Sequence, residues 1–338
     1  MSLRVWRKMS DRVQLTVVVP CYNEEPIIEQ SGRRLLAYLE ELANAGKISR
    51  SSSILFVNDG STDGTWEILE RLCGENAAFT AISLSRNFGH QAALLAGLHT
   101  APGDAVISID ADLQDDISVM GAMAERFGEG FEVVYGVRRE RNSDSAFKRW
   151  TALGFYRLMK LLGTRTVYNH ADYRLLSRRA IETLRDYREV NLFLRGIVTL
   201  MGFRWAVVEY DRGKRLAGET KYPLGKMVAL SVSAVTSFSN VPLRLITLVA
   251  WAGMCVLAGL AGWVLWVRMF TTEGVPGWAS VLLPVLFLGC LNLLAMGILG
   301  EYIARIFDEV KARPRYVIAE GRNLAVGAES GWRAAQTK

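Results

Sequence analysis

Ala105-Val106-Ile107-Ser108-Ile109-Asp110-Ala111-Asp112-Leu113-Gln114-Asp115-Asp116 is the stretch on which the reading of this chain turns. A short apolar run, Ala105 to Ile109, ends abruptly in four carboxylates and one carboxamide within seven residues. Such runs suit parallel strands buried on both faces, whose C-terminal ends open onto the ligand crevice of an α/β sheet. Acids crowded at that rim repel one another unless a cation sits among them. Hard oxygen donors favour Mg²⁺ or Mn²⁺, ions commonly shared with substrate phosphates. The bland alternative for an isolated Asp-x-Asp is a solvated acidic turn capping the next helix, and the flanking segments decide between the two.

Working outward, the same pattern recurs. Val13 to Val19 reads as a strand closing in Pro20-Cys21-Tyr22-Asn23-Glu24-Glu25. Pro26 then opens a helix whose apolar positions Ile27, Ile28, Leu35, Leu36, Leu39 and Leu42 repeat near a period of 3.6. A strand from Ile54 to Val57 runs into the Gly/Asp turn from Asn58 to Thr65 and a helix from Trp66 to Leu72. Phe79 to Leu84 meets Ser85 to His90 and a helix through Leu98. Downstream, a helix from Ile117 to Phe127 precedes a strand from Glu132 to Val137. This alternation predicts an α/β domain with a mostly parallel sheet and right-handed crossovers. Each polar cluster falls at the end of a strand, so all are expected to line one crevice.

Half of the 338 residues are hydrophobic and the mean hydropathy is +0.15, high for a soluble enzyme. The excess lies towards the C-terminus. Leu245 to Val267 and Gly274 to Gly300 carry no formal charge. Each exceeds the roughly 20 residues needed to cross about 30 Å of hydrocarbon. With a connector of only Arg268 to Glu273 between them, they predict a two-helix transmembrane hairpin. Lys214, Arg215, Lys221, Lys226 and Arg244 precede it, and Arg305, Lys311, Arg313 and Arg315 follow it, so both flanks are expected to be cytoplasmic. Trp263, Trp266 and Trp278 lie near the far ends, as interfacial aromatics should. Tyr222 to Val241 reads as amphipathic helices in the interface. The expected domains are a cytosolic domain over 1–220, interfacial helices over 221–241, two spans over 242–304 and a cytosolic tail over 305–338, loose after Glu320.

The N-terminus is basic (Arg4, Arg7, Lys8, Arg12) but lacks the apolar core of a signal peptide, which predicts retention in the cytoplasm. A net charge of +6 without a basic-aromatic array points to anionic lipid and phosphate and excludes nucleic acid as a partner. The four cysteines lack metal spacing and read as packing residues in a reducing compartment. His90, His99 and His170 complete no nucleophile–base pair and are expected to have no metal or catalytic role.

The ordered set VVVPCYNEE (17–25), VNDGSTDGT (57–65), LSRNFGHQAAL (84–94), DADLQD (110–115), ADYRLLSR (171–178) and RLAGETKY (215–222) resembles the family 2 glycosyltransferases of GT-A, Rossmann-like fold. Within them it resembles the dolichyl-phosphate mannose synthases and the bactoprenol (undecaprenyl-phosphate) glucosyltransferases, over nearly the whole chain. The resemblance implies that Pro20, Tyr22, Asn23, Glu24 and Asp59 hold the nucleoside of a nucleotide-sugar donor, with Asn87, Gly89, Asp110 and Ala111 along the same ligand. His90 could border the nucleotide, with packing the favoured role. By the residues alone, Asn23 or Glu24, and Ser61 or Asp63, could instead cap the helices that follow them. Asp110 and Asp112 match the family's metal-binding Asp-x-Asp, and Gln114 the position completing coordination of Mg²⁺ or Mn²⁺. Arg138, Lys148, Arg215 and Lys221 match cations that bind the acceptor phosphate or the diphosphate. Asp172 matches the catalytic aspartate, either the base of an inverting transfer or a residue orienting its neighbours; by the residues alone it could instead cap a helix or form a salt bridge next to Arg174 and Arg178. One departure is Asp115-Asp116, where many relatives have Asp-Pro.

The activity so implied is transfer of a hexose, with glucose from UDP-glucose favoured, onto undecaprenyl phosphate. The setting would be the cytoplasmic face of a bacterial inner membrane, in a multi-pass protein. Gly253, Gly259, Gly262, Gly289 and Gly297 would permit close helix contact and a homo-oligomer. Two rivals are a processive polysaccharide synthase, which would want more spans and a Gln-x-x-Arg-Trp motif, and a non-catalytic nucleotide-sugar-binding scaffold, which would have no use for Asp172.

Overall fold

A computed structural model describes residues 12–139, 170–189, 194–211, 241–270 and 278–324. They divide between two compact units: Met1–Thr151 with Arg165–Lys221 and Pro314–Lys338, and Ala152–Thr164 with Tyr222–Arg313.

In the first unit the expected alternation holds through β1 (Leu15–Cys21), α1 (Ile28–Asn44), β2 (Ser53–Asn58), α2 (Thr65–Glu75), β3 (Phe79–Leu84), α3 (His90–Thr100), β4 (Ala105–Ser108), α4 (Val119–Gly128) and β5 (Val133–Arg138). It continues with β6 (His170–Ser177), α5 (Arg178–Asp186), α6 (Leu194–Leu200) and β7 (Trp205–Tyr210). Every residue of β1, β2 and β4 is buried, the signature of strands covered on both faces. Alternation of side chains then divides the helices between the faces. Val17, Val19 and Phe56 share a core with Ile28, Leu35 and Leu39 of α1, Leu69 of α2 and Met120 of α4. On the other face α3 lies so close that a side chain on Gly97 would collide with Val18 and sit 2.8 Å from Val57.

The sheet has eight strands among the described residues, in the order β7-β5-β6-β4-β1-β2-β3-β8. β1 pairs in parallel with β2 and β4, and β2 in parallel with β3. β6 runs antiparallel to both β4 and β5. That reversal positions the site. A strand running against β4 begins where β4 ends, so with Ser108 paired to Arg174, Asp172 comes level with the acid cluster that follows β4.

The C-terminal segment departs from the expected loose tail. Ile318–Arg322 forms β8, antiparallel to β3 at the sheet edge. Asn323 donates its amide to the carbonyls of Cys73 (2.6 Å) and Phe79 (3.1 Å), and Arg315 donates to the Tyr187 carbonyl (2.8 Å). The Tyr316 hydroxyl sits 3.0 Å from His99 Nδ1. An exposed edge strand is a liability that a covering strand removes, which gives this segment a physical reason to be ordered.

The second unit holds α7 (Val241–Phe270) and α8 (Trp278–Lys311). The α8 helix runs past the expected boundary at 304. Leu245–Val267 lies on α7, and the described part of the second expected stretch, from Trp278 to Gly300, lies on α8. Where two spans are expected, however, one stretch among the described residues, Phe287–Lys311, is long and apolar enough to cross a membrane, and none of it is buried. Trp251, Trp263 and Trp266 on α7, and Phe287, Leu293 and Met296 on α8, are all exposed.

Candidate active site

The turns after β1 and β2 brace one another. Asn23 sits at φ +55°, and Ser61 Oγ accepts its N–H at 3.0 Å. Its own side-chain oxygen accepts the Thr62 N–H at 2.8 Å. Thr65 Oγ1 accepts the Glu24 N–H, Asp63 the Glu25 N–H, and the Glu25 carboxylate the Gly64 N–H. Thus Asn23, Ser61 and Asp63 link one loop to the next; Asp63 also accepts the Thr65 N–H at 3.1 Å at the start of α2, while the N-cap residues Ile27 and Gly64 supply no side-chain cap.

Asp59, buried at the end of β2, draws in a third loop. Its two oxygens accept the N–H groups of Phe88 (2.8 Å) and Gly89 (2.9 Å). Burial raises its carboxyl above the ordinary value, against the pull of those two bonds. Next to it Gly60 has φ +66°, and a Cβ there would lie 2.5 Å from the Arg86 carbonyl carbon. The loop carrying Asn87 and Gly89 can approach only a residue without a side chain. Tyr22 is 44% exposed above this braced surface, an open aromatic ring of the kind a base can stack on.

The acid stretch forms the middle of the crevice. Leu113 takes φ +44°, and its N–H returns to the Asp110 carbonyl at 3.2 Å, so the loop doubles back beyond Asp110. Asp112 accepts the Gln114 backbone N–H (3.2 Å) and side-chain amide nitrogen (2.5 Å). Ala111 contributes its carbonyl to the Ser31 hydroxyl at 2.7 Å. Asp115 is buried and accepts from Arg138 Nη2 (2.9 Å), Arg138 Nε (3.1 Å) and the Tyr210 hydroxyl (2.7 Å). At the departing position Asp116 accepts the Ser118 N–H at 2.9 Å, so it turns the chain into α4.

Across from Asp110 stands Asp172. Its Oδ1 accepts from Arg174 Nη2 (2.5 Å) and Arg195 Nε (3.2 Å). Its Oδ2 accepts from Arg195 Nη2 (3.1 Å) and Gln91 Nε2 (3.2 Å). The Ser108 hydroxyl bonds its backbone carbonyl. His90 Nε2 lies 3.6 Å from Asp172 Oδ2 and 3.7 Å from Asp110 Oδ1. Burial would raise the Asp172 carboxyl, but contact with His90 and the charges of Arg174 and Arg195 outweigh it and hold the group well below the usual carboxylate range. Burial lowers His90, and its two acids more than reverse that.

Asp110, Asp172, Asp59 and the loops bearing Tyr22, Asn23, Glu24, Asn87 and Gly89 therefore gather at one edge of the sheet. Lys148, Arg215 and Lys221 lie outside the described residues. Four further residues converge on Asp172: His90, Arg174, and two that the sequence did not single out, Gln91 and Arg195. His90 is a correction, since it faces the acids instead of packing in a core. Arg174 was legible as the neighbour of Asp172 within the ADYRLLSR segment, whereas Arg195 belongs to no quoted motif. A hollow of about 520 Å³ beside Asp104, Phe131, Glu132 and Arg178 lies at the opposite ends of the strands and shares no residue with this cluster.

The donor set suits a divalent cation. Burial first, and then the charges of Asp172, Asp115 and Asp112, raise the Asp110 carboxyl, with His90 opposing; a cation beside it would relieve that crowding. Among the described residues no three His, Cys, Asp or Glu side chains form a ready-made cage. Mg²⁺-type sites that share ligands with phosphate need only one or two carboxylates.

These features define a GT-A-like α/β transferase, with its site at the carboxyl ends of a mostly parallel sheet. The family described as Glycosyl transferase family 2 matches residues 16–185. A Bacillus subtilis (strain 168) protein named as an uncharacterized glycosyltransferase, YkoT, is 49% identical across 90% of this chain and 90% of its own. The prophage bactoprenol glucosyl transferase homolog of Escherichia coli (strain K12) is 37% identical across 90% of this chain and 98% of its own. Glucosyl-3-phosphoglycerate synthase from Mycobacterium tuberculosis, solved with Mn²⁺, UDP and glucosyl-3-phosphoglycerate, is 20% identical over 66% of this chain and 78% of that one, with a TM-score of 0.43, too slight a likeness to inform the chemistry. The chain belongs to glycosyl transferase family 2, and it is an enzyme.

Proposed function

We propose that this chain moves a hexose, glucose from UDP-glucose in the first instance, onto a polyprenyl phosphate at the cytoplasmic face of a membrane. The carrying observation is Asp110, which opens the acid loop after β4, facing across one crevice an aspartate of β6 held by Arg174, Arg195 and His90. The relatives named bactoprenol glucosyl transferase support the lipid acceptor, because their likeness extends across 90% of this chain.

The nucleoside would lie against Tyr22 and the loops braced by Asn23 and Asp59, and the sugar over Asp110. Asp110 and Asp112, with Gln114 beside them, are the residues that would hold Mg²⁺ or Mn²⁺; when bound, the ion supplies positive charge to the departing diphosphate. A phosphate monoester has a second pKa of about 6 and is mostly dianionic near neutral pH. Its oxygen can therefore attack the anomeric carbon in one displacement with inversion, while the nucleoside diphosphate leaves. The two long helices would form the membrane hairpin, with Lys148, Arg215 and Lys221 adding cations on the acceptor side.

Membranes holding the protein, incubated with labelled UDP-glucose, undecaprenyl phosphate and Mn²⁺ or Mg²⁺, test this. Label entering the organic phase is the expected result. Label in a water-insoluble polymer would make the chain a synthase, and donor binding without turnover would make it a scaffold.

A further inference from the structure

We propose that Arg195 binds the phosphate of the acceptor, and that Asp172 is the residue that positions it rather than the base of the reaction. This rests on the transfer reaction proposed above and names a group for one of its substrates.

A carboxylate offers about four lone-pair sites. Those of Asp172 face Arg174, Arg195 twice and Gln91, at 2.5 to 3.2 Å, and His90 adds a further contact. A general base needs a lone pair within reach of the proton it removes, and here the positions are occupied by donors. Both arginines neutralise this acid, but they differ in access. The side chain of Arg174 is 1% exposed and that of Arg195 is 42% exposed. The buried arginine balances the aspartate's charge. The other meets the same aspartate through Nε and Nη2, which fixes its planar fork in the crevice while leaving it open to solvent. Fixed, open guanidinium groups match phosphate geometry. Two guanidinium groups thus meet the single carboxylate of Asp172.

Position along the sheet selects which phosphate. The nucleoside loops follow β1, β2 and β3, whereas Asp172 lies on β6, on the other side of β4. Asp110 stands between them. A ligand whose base rests near Tyr22 and whose sugar lies over Asp110 would have Arg195 on the side of the sugar away from its base. The other described arginine near the acid loop, Arg138, grips Asp115 and is 27% exposed.

The test uses the full chain in detergent, with farnesyl phosphate and UDP as separate binding probes. Arg195→Ala should weaken farnesyl phosphate by about tenfold or more while leaving UDP affinity unchanged. Arg195→Lys, which keeps charge but not the fork, should fall between. In turnover, Asp172→Asn should show the same rise in acceptor KM, keep most of kcat and keep the wild-type pH profile; the double variant should be no worse than the worse single one. Unchanged farnesyl phosphate binding in Arg195→Ala overturns the proposal. So does a selective loss of UDP affinity in both Arg195 variants, which would assign the group to the donor. Loss of an ionisation from the Asp172→Asn pH profile, with kcat down a thousandfold, would restore the base. Absence of lipid-linked product from wild-type protein sinks the transfer reaction, while the binding arms still decide the role of Arg195.

Discussion

On one flank of the crevice, the loops after β1, β2 and β3 hold one another through side chains bonded to backbone N–H groups; on the other, one aspartate of β6 is held by arginines of β6 and α6 and by His90 and Gln91 at the start of α3. The first flank is dominated by short, directional bonds over loops next to one another. Asn23, Asp59, Asp63 and Thr65 fix a surface before any ligand arrives. The second flank is ionic and open, and its parts are brought together by an antiparallel strand. Pre-set loops suit recognition of a planar base and a ribose, whereas a charged, accessible cluster suits a mobile anion. Perturbing one flank should therefore alter donor terms, and perturbing the other acceptor terms.

The largest expected effect comes where the flanks meet. Asp112→Asn removes a charge from the proposed metal pair and should cut turnover by about a thousandfold, with unchanged melting behaviour; undiminished activity would remove the metal from the reaction. Gly60→Ala tests the donor flank next. Its Cβ would meet Arg86 backbone at 2.5 Å with φ +66°, so a loss of about 3 kcal/mol of stability is expected in thermal or denaturant unfolding. A smaller change is Asp59→Asn, which turns an amide NH₂ towards one of two buried N–H donors. It should raise donor KM about tenfold and leave acceptor KM alone; movement of both would show that the flanks are not independent.

The smallest effect lies away from the crevice, at the clasp of Tyr316 on α3. His99 is pulled down to about 3 by burial and by Arg315 and Arg185. In the unfolded chain it takes up a proton near 6.5, while in the folded protein it stays neutral, so unfolding binds a proton and stability falls as pH drops below 6.5. The expected slope is about 1.4 kcal/mol per pH unit over that window. Unfolding of wild type and His99→Gln compared between pH 7 and pH 5 measures it, and equal slopes would remove the clasp from the pH response.

The two flanks also differ in how far they were legible. Glycines and acids gathered at the ends of buried runs made the residues of the donor flank legible, although the bonds that brace its loops join residues 29 to 41 apart and needed the sheet to meet. Asp110, Asp112 and the parallel strands were legible for the same reason. The pairing of Asp172 with His90, Gln91 and Arg195 was not, because it depends on the direction of β6, and no local periodicity records which way a strand runs. The C-terminal strand is no more legible: Ile318 to Arg322 is polar and short, and it is held by the edge of β3 more than by its own composition.

By itself the sequence determined the alternation of buried strands and amphipathic helices, the crowding of acids at strand ends and the long apolar stretches, because periodicity, charge spacing and hydropathy act over neighbouring residues. Only the tertiary structure decided that β6 opposes β4, that one aspartate is shared by two arginines of unlike exposure and that the last strand closes the sheet. Those outcomes are long-range pairings, in which the partners are separated by tens to hundreds of residues and only the assembled sheet brings them into contact.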